Sequence, residues 1–465
     1  MVSSIKKRSS KSRNYDSTES SGYFGIEEAL NEYSPRQGLS SSSGFEALEE
    51  FWMPVISAAL LITGNTFGAG SLVLPQLVQQ PGLAISSGVF LGAYVINLLS
   101  GLIIAEVAIQ QKESSGDEVP SSFKELVEEN LKSPTLATLV SVISFSVNAL
   151  VFSFDMSRVG IVANQLTGGL IGSTTMSLGW GAALVTLLST QTSQRISNIA
   201  SVCVTVLFAS FGSLLIPGLA HTNAFAAWNA PGLAAEPLGA LGDLAPVILM
   251  AMIYQNIVPT ITRMHNYDRT KTVLSMLLGS LIPLGMYLGW CFACLGGGID
   301  LGQVGLESGP LLAVFSLATL GGSSIGCGLS CASEIETFLD TKEQVTSVQG
   351  EDDDEDKSGD RVFQLPSSIA TVALPLSLTL AVTTFGNGDL TPALSVAGGL
   401  GSPLLYGVLP VMMAWNQRQE KAQAGAPTES SNMVPTSSLG VLGVFAGGMF
   451  GTELVEQVGH LAHAL

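Results

Sequence analysis

Long apolar stretches follow one another from Met53 to the end of the chain, separated by short polar segments. A membrane-spanning helix needs about 20 largely apolar residues. Eleven stretches are candidates, and they cover residues 53–74, 83–110, 135–168, 176–190, 196–219, 244–261, 272–296, 309–335, 365–384, 390–415 and 438–458. The pattern predicts an all-α integral membrane protein with eleven transmembrane helices, which are called spans 1 to 11 below.

The polar segments divide the rest of the chain. Residues 1–50 are rich in Ser, lack periodic apolar positions and predict a disordered cytoplasmic tail. We expect a ten-helix core over 51–415, which includes an acidic cytoplasmic loop at 338–362. A cytoplasmic loop over 416–437 and an eleventh helix with a short C-terminus over 438–465 complete the chain.

The positions of lysine and arginine predict the orientation of the spans, because these residues are retained on the cytoplasmic side. With the N-terminus inside, 18 of the 19 basic residues fall in the tail or in inner loops, and Arg158 within span 3 is the exception. We therefore expect a multi-pass protein whose N-terminus is cytoplasmic. Its membrane is the plasma or inner membrane, or a plastid membrane.

Span 1 contains a predicted interruption. Residues 64–70 read Gly-Asn-Thr-Phe-Gly-Ala-Gly, and each glycine costs about 1 kcal/mol relative to Ala inside a helix. Unpaired backbone groups cannot face lipid, so an unwound segment must be buried in protein or line a watery cavity. The alternative is close helix packing through Gly64 and Gly68. The polar Asn65 and Thr66 favour the cavity.

Span 6 contains a similar interruption, because Tyr254, Gln255 and Asn256 shortly precede Pro259 in an apolar stretch. Spans 1 and 6 open the two five-helix halves of the core. Paired interruptions at corresponding positions indicate an inverted-repeat transporter with its substrate at the midplane. The predicted fold is therefore a five-plus-five inverted repeat with broken helices 1 and 6, plus one extra helix.

The residues of span 1 resemble a family pattern, Gly-Thr-x-Ile-Gly-Ala-Gly-Met-Leu-Ala-Leu-Pro. It is matched here by Gly64, Gly68, Ala69, Gly70, Leu72, Leu74 and Pro75. The pattern belongs to the aromatic amino acid permeases, the tryptophan/tyrosine permease family of the amino acid, polyamine and organocation superfamily. The end of span 2 at Glu106 and the sixth-span proline, Pro259, are similar to the same family.

This resemblance implies the leucine-transporter-like fold and secondary active transport of amino acids by alternating access. The implied substrate is aromatic, tyrosine or tryptophan, and the implied coupling is to a proton, with sodium as the alternative. One position departs from the pattern, since many bacterial members have His where this sequence has Gln255. Gln cannot carry a proton, so coupling here would need another group.

An amino acid needs backbone donors for its carboxylate and carbonyl acceptors for its ammonium, and broken helices supply both. Phe67 and Tyr254 are expected to face an aromatic side chain. The predicted substrate-binding residues are Gly64, Asn65, Thr66, Phe67, Gly68, Ala69, Gly70, Tyr254, Gln255 and Asn256.

Three ionisable residues within the spans are candidates for ion coupling, because charged groups are costly in lipid. Asp155 and Arg158 lie three residues apart on span 3, so they could pair along one helix face or act in a proton relay. Glu106 near the inner end of span 2 could lie at the interface or belong to a proton path.

Composition narrows the classes of protein. Only 12% of the residues are charged, half the usual share, which excludes a soluble enzyme. The net charge of −18 argues against a nucleic-acid partner. Four of the five cysteines have metal-like spacing but lie in apolar helices without a nearby His, so we expect no metal and no cofactor. The remaining alternatives are a non-transporting amino acid sensor and a same-fold transporter of another small amino acid or ion.

Overall fold

The computed structural model describes residues 41–68, 70–115, 123–191, 193–229, 232–236, 239–296, 310–346, 363–385, 390–425 and 432–464. Within these ranges the protein is helical and contains no β-strand. The predicted disordered tail up to residue 40, and residues 347–362 of the predicted acidic loop, lie outside the described residues.

The described residues form sixteen α-helices. In chain order they are α1 (Ser41–Thr66), α2 (Gly70–Val78), α3 (Leu83–Ser115), α4 (Phe123–Leu131), α5 (Pro134–Leu166), α6 (Ser173–Thr190), α7 (Ser193–His221), α8 (Ala224–Asn229), α9 (Leu241–Ala251), α10 (Val258–Met264), α11 (Arg269–Leu295), α12 (Pro310–Thr346), α13 (Leu365–Phe385), α14 (Thr391–Val396), α15 (Leu409–Gln423) and α16 (Thr436–Ala464). A short 3₁₀ segment, Gln255–Ile257, precedes α10, and two π-helical segments, Ala397–Gly401 and Leu404–Val408, join α14 to α15.

Nine helical stretches in the described chain are long and apolar enough to cross a membrane, and the bent pair α1 and α2 makes a tenth. The helix of predicted span 4, α6, has 18 residues, fewer than the about 20 that a perpendicular crossing needs. Helix α5 has 33 residues and is therefore about 50 Å long, so it exceeds a hydrocarbon core of about 30 Å, as the length of span 3 predicted.

The helices extend further than the sequence pattern predicted at several places, and α1 already begins at Ser41, inside the predicted disordered tail 1–50. Two extensions change the predicted boundaries of the core. Helix α12 continues to Thr346, beyond the start of the predicted acidic loop at 338, and α15 continues to Gln423, beyond the predicted end of the core at 415. Both extensions are polar, so hydropathy could not assign them to a span. The short helix α4 was also not predicted, and it buries Leu126 and Val127.

Packing places α12 at the centre of the described core, against both α5 and α7. Helix α11 packs on α3, and α9 packs on α2. The last helix, α16, is the least buried of the candidate spans, with 17% of its apolar window inside the protein. Its exposed Val441 and Val444 are suited to contact with lipid rather than water.

Candidate functional site

A cavity of about 120 Å³ lies between the interrupted regions of spans 1 and 6 and the middle parts of α5 and α12. Polar lining residues come mainly from the breaks in spans 1 and 6 and from α12, and apolar residues come from α5 and α9. The lining residues are Gly64, Asn65, Thr66, Gly68, Gly70, Val147, Asn148, Val151, Val247, Met250, Ala251, Ile253, Asn256, Gly322, Ser323, Gly326, Cys327, Ser330, Leu394 and Tyr406.

Span 1 is broken where its glycines predicted. Helix α1 ends at Thr66 and α2 begins at Gly70, and the two are bent by 63°. The side chain of Thr66 donates to the carbonyl of Ile62 at 2.7 Å, which satisfies one acceptor in the last turn of α1. Ala69 lies outside the described residues. The first N–H groups of a helix have no acceptor within the helix itself, and in α2 the N–H of Ser71 donates to the carbonyl of Gly68 at 3.0 Å.

Span 6 is also interrupted at the predicted polar residues. Helix α9 ends at Ala251, and regular α-helix resumes at Val258 after the 3₁₀ turn Gln255–Ile257. Pro259 stands in the first turn of α10, where its missing N–H costs no helical hydrogen bond. Spans 1 and 6 are thus both interrupted in the described chain.

The two breaks are joined directly by Asn65. Its Nδ2 atom lies 3.2 Å from Oδ1 of Asn256 and 3.4 Å from the carbonyl oxygen of Ile253. The two interrupted spans also approach closely at Gly70, where an added Cβ would stand 2.8 Å from the Cβ of Ala251. Any side chain at this position would force the breaks apart.

Tyr287 of α11 makes a second link that the sequence did not predict. Its hydroxyl lies 2.9 Å from the carbonyl oxygen of Thr66 and 3.1 Å from that of Ala251, the last residues of α1 and α9. A phenol has one proton, so the two carbonyls share one donor. The indole of Trp290, one turn further along α11, donates to the carbonyl of Ser71 in α2 at 2.9 Å. The signal in the sequence that could have indicated these links is an aromatic residue with a polar atom inside an apolar span, because such a residue needs a hydrogen-bond partner when it is buried.

Three predicted substrate-binding residues do not line the cavity in this conformation. Phe67 packs against Phe211 and Tyr287, with ring centroids 4.9 and 4.7 Å apart. The side chains of Tyr254 and Gln255 point to α3, and Nε2 of Gln255 donates to Oδ1 of Asn97 at 2.6 Å. Of the ten predicted residues, Gly64, Asn65, Thr66, Gly68, Gly70 and Asn256 line the cavity.

Glu106 lies in an inner cluster, which we define as Glu106, Arg418, Met433, Val434 and Thr436. Arg418 of α15 donates to both carboxylate oxygens of Glu106, at distances between 2.7 and 3.0 Å. The backbone N–H groups of Met433 and Val434 also donate to this carboxylate, and Arg418 donates to Thr436. Glu106 is 1% exposed, so it does not lie at an open interface. Arg418 was missed because polar residues surround it in the sequence.

Asp155 and Arg158 do not form the pair that their spacing allows. Neither carboxylate oxygen of Asp155, which is fully buried, accepts a hydrogen bond from the described residues. The guanidinium of Arg158 lies 5.1 Å from the ring centroid of Phe154. Asp155 is one helical turn beyond Val151, which lines the cavity.

Within the described ranges, no three His, Cys, Asp or Glu residues are grouped closely enough to hold a metal ion. All five cysteines are free thiols. The cavity thus offers backbone groups, amides and hydroxyls, which suit a small zwitterion, beside an apolar wall.

The fold defines a multi-pass membrane protein of the permease class, with a cavity between two interrupted helices. Residues 53–304, more than half of the chain, match the family model for the tryptophan/tyrosine permease family. The chain belongs to this family, which is one of permeases and not of enzymes.

Two curated relatives are tryptophan-specific transport proteins, from Shigella flexneri and from Pseudomonas aeruginosa (strain UCBPP-PA14). They are 24% identical to this chain over 248 and 245 residues, respectively. Each alignment covers 52% of this chain and 57% of the relative, so the chain matches little more than half the length of these relatives.

Proposed function

We propose that this protein is a secondary active transporter of an aromatic amino acid, tryptophan or tyrosine, which works by alternating access. Family membership supports amino acid transport, and the two relatives named as tryptophan-specific support an aromatic substrate. The observation that carries the proposal is the cavity between the two helix breaks, because it combines open backbone groups with an apolar wall.

The cavity suggests an orientation for the substrate. The carboxylate would face the N-terminus of α2 at Gly68 and Gly70, where the helix dipole favours an anion. The ammonium would face the amide oxygens of Asn65 and Asn256 and nearby carbonyls. The apolar wall from α5 and α9 would receive the ring. Phe67 and Tyr254 would reach the substrate only in another conformation of the hinge.

The five-plus-five inverted repeat is part of the proposal. The first half would comprise α1 with α2, then α3, α5, α6 and α7, and the second half would comprise α9 with α10, then α11, α12, α13 and α14 with α15. Helix α16 would be the eleventh span, and α6 would be a short fourth span. Both observed breaks then fall in the first span of a half, as an inverted repeat requires.

The orientation remains as the sequence predicts it. The N-terminus would be cytoplasmic, because that arrangement places the basic residues on the inner side. The core, predicted over 51–415, would end with α15 at Gln423, and an inner segment and the eleventh helix would follow it. A plasma or inner membrane, or a plastid membrane, would hold the protein.

Coupling to a proton is the final part of the proposal. The carboxylate of Glu106 accepts hydrogen bonds from Arg418 and from two backbone N–H groups. These contacts argue for a structural role of this residue. Arg158 stays charged at any physiological pH, so it cannot carry a proton through a cycle. Of the three predicted ion-coupling residues, Asp155 is therefore the one left to exchange a proton.

Uptake into proteoliposomes tests the proposed function. We expect purified protein to accumulate labelled tryptophan or tyrosine when a proton gradient is imposed, and a sodium gradient provides the comparison. Binding without uptake would contradict transport and favour a sensor. Uptake of small aliphatic amino acids in preference to tryptophan and tyrosine would contradict the aromatic substrate.

Three glycine variants test whether the breaks form the site. Gly70→Ala places a Cβ 2.8 Å from the Cβ of Ala251, and overpacking of this kind costs about 1–3 kcal/mol. We expect tryptophan uptake to fall by about tenfold or more, since each 1.4 kcal/mol corresponds to about a factor of ten. Gly68→Ala meets only Ser323 at 3.6 Å, an ordinary contact, so a milder loss is expected.

Gly88→Ala is the matched control, because an added Cβ on this exposed face of α3 meets no atom within 4 Å. Its uptake should equal that of the unmodified protein. Equal uptake by Gly70→Ala and Gly88→Ala would show that the proximity of the two breaks has no role in transport.

A further inference from the structure

Asp155 extends the cavity-lining face of α5. Val147 and Val151 line the cavity, and Asp155 follows at the same spacing of four residues. Residues four apart lie on the same face of a helix, one turn above the other. The carboxyl group of Asp155 is therefore directed to the same side as the cavity wall, one turn beyond the last lining residue of α5.

Two lining residues of α12, Ser323 and Cys327, stand beside this carboxyl group. The hydroxyl of Ser323 lies near it without meeting hydrogen-bond geometry, and the thiol of Cys327 lies within electrostatic range. Both side chains also line the cavity, so they separate Asp155 from the open space. Movement of α12 relative to α5 would connect the carboxyl group with water in the cavity.

The surroundings of Asp155 fit a neutral carboxylic acid better than a carboxylate. Asp155 is fully buried and its two oxygens accept no hydrogen bond from the described residues. Burial of an unpaired carboxylate costs far more than burial of the neutral acid. The acid form is therefore the form that this conformation accommodates.

The other helices that pack on α5 provide no charge next to this position. Ser177 of α6 and Thr379 of α13 donate hydroxyl hydrogen bonds to backbone carbonyls of α5, and neither helix contains an ionisable side chain. Helix α4 is charged, but it packs near Val140, about 22 Å along α5 from Asp155. Cys327 on α12 lies within electrostatic range of Asp155, and Arg158 is three residues away on α5. Further from Asp155 in the same network are Tyr406, which lines the cavity, and Glu334 of α12, which lies within electrostatic range of Tyr406.

We propose that Asp155 binds the proton that drives transport, and that Ser323 and Cys327 close its path to the cavity in the conformation described. This inference rests on the proposed function. In each cycle, an Oδ–H bond forms with a proton from water on the outer side. The bond breaks on the inner side, where the proton returns to water and leaves the carboxylate. One proton moves per cycle, and no electron is transferred.

The variant Asp155→Asn tests this assignment because it keeps the size and polarity of the side chain but cannot release a proton. Two measurements are made in proteoliposomes: accumulation of labelled tryptophan under a proton gradient, and exchange of labelled for unlabelled tryptophan without any gradient. We expect the variant to lose accumulation, so that the inner concentration only equals the outer one, and to retain exchange. Retained exchange also shows that the variant is folded.

Asp243→Asn is the matched control, since Asp243 is an exposed carboxylate in the first turn of α9. It should accumulate tryptophan as the unmodified protein does. Accumulation by Asp155→Asn at the unmodified level would overturn the assignment. Loss of both exchange and accumulation would also overturn it, because Asp155 would then serve folding or substrate binding. Accumulation that only a sodium gradient can drive would overturn the role of the proton.

Infrared difference spectroscopy separates this inference from the proposed function, because it needs no transport. Spectra of the purified protein between neutral and alkaline buffer should contain the carbonyl band of a protonated carboxyl group that is absent from Asp155→Asn. An identical band in the variant would overturn the assignment, whether or not amino acids are transported. Absence of uptake by the unmodified protein would instead overturn the proposed function alone.

Discussion

The inner cluster and the cavity wall each contain a buried acid, but the two acids have opposite surroundings. Glu106 in the inner cluster accepts hydrogen bonds from Arg418 and from two backbone N–H groups. Asp155 beside the cavity is equally buried and accepts none from the described residues. The difference shows that burial of an acid within a span does not by itself indicate a role in ion coupling.

Glu106 is one half of a buried ion pair, and removing either partner of such a pair leaves an uncompensated buried charge. The inner cluster also fixes the segment before α16 against α3 and α15, through Met433 and Val434. Stability should therefore depend on the inner cluster, and coupling should depend on the cavity wall.

The largest effect is expected for Arg418→Met, which leaves Glu106 buried without its cationic partner. Breaking a buried ion pair by removing one partner costs about 3–5 kcal/mol. We expect a large decrease in the thermal midpoint of the detergent-purified protein and in its yield. Thermal unfolding followed by intrinsic fluorescence measures the effect.

Lys132→Met is the matched control for this variant. Lys132 pairs with Glu420 at 2.6 Å, but the two side chains are 72% and 52% exposed. An exposed pair of this kind contributes about 0–1 kcal/mol. Similar midpoints for Arg418→Met and Lys132→Met would contradict the stabilising role of the inner cluster.

An intermediate effect is expected for Tyr287→Phe. The variant removes the one donor shared by the carbonyls of Thr66 and Ala251, and a buried acceptor without a partner costs about 1–3 kcal/mol. The thermal midpoint should fall, but by less than in Arg418→Met. Tyr254→Phe is the comparison, because the hydrogen bond from that hydroxyl to a backbone carbonyl, that of Asn97, is long at 3.4 Å. An unchanged midpoint for Tyr287→Phe would show that another group satisfies these carbonyls.

The sequence predicted the positions of the two breaks because their causes are local. Glycine at 64, 68 and 70 and proline at 259 act on the backbone at their own positions, and no distant residue is needed. The spans themselves follow from hydropathy for the same reason. Hydropathy did not predict the short, polar helix α4 and predicted α6 only as a short span, since tertiary packing determines such helices.

Partners far apart in sequence could not be predicted. Glu106 and Arg418 are separated by 312 residues, and Tyr287 lies 221 residues from Thr66. The orientation of Phe67, Tyr254 and Gln255 away from the cavity has the same origin, because rotation of a residue at a helix break depends on neighbouring helices. Local spacing allowed either a pair between Asp155 and Arg158 or a proton relay, and it could not predict that Asp155 lies beside Ser323 of the distant helix α12.

The smallest effect is expected at His265. In its number of hydrogen-bond partners this side chain is intermediate between Glu106 and Asp155. Its Nε2 atom lies 2.8 Å from the hydroxyl of Ser275, while Nδ1 has no hydrogen-bond partner among the described residues. Burial lowers the pKa of this imidazole, nearby Lys271 lowers it further, and Asp268 opposes the shift. The folded protein therefore favours neutral His265, and the unfolded chain takes up the proton more readily.

Because the folded-state pKa is the lower one, stability is fully present above the unfolded pKa of about 6.5 and decreases as the pH falls below it. We expect the thermal midpoint to decrease less between pH 7.5 and pH 5.5 in His265→Gln than in the unmodified protein. His221→Gln, at an exposed histidine in the last turn of α7, should keep the unmodified profile. Identical profiles for His265→Gln and His221→Gln would show that protonation of His265 does not affect stability, although one of its ring nitrogens has no hydrogen-bond partner among the described residues. The loss of one hydrogen-bond partner would then be too little to matter, and the contrast between Glu106 and Asp155 would depend on Asp155 having no partner at all among the described residues.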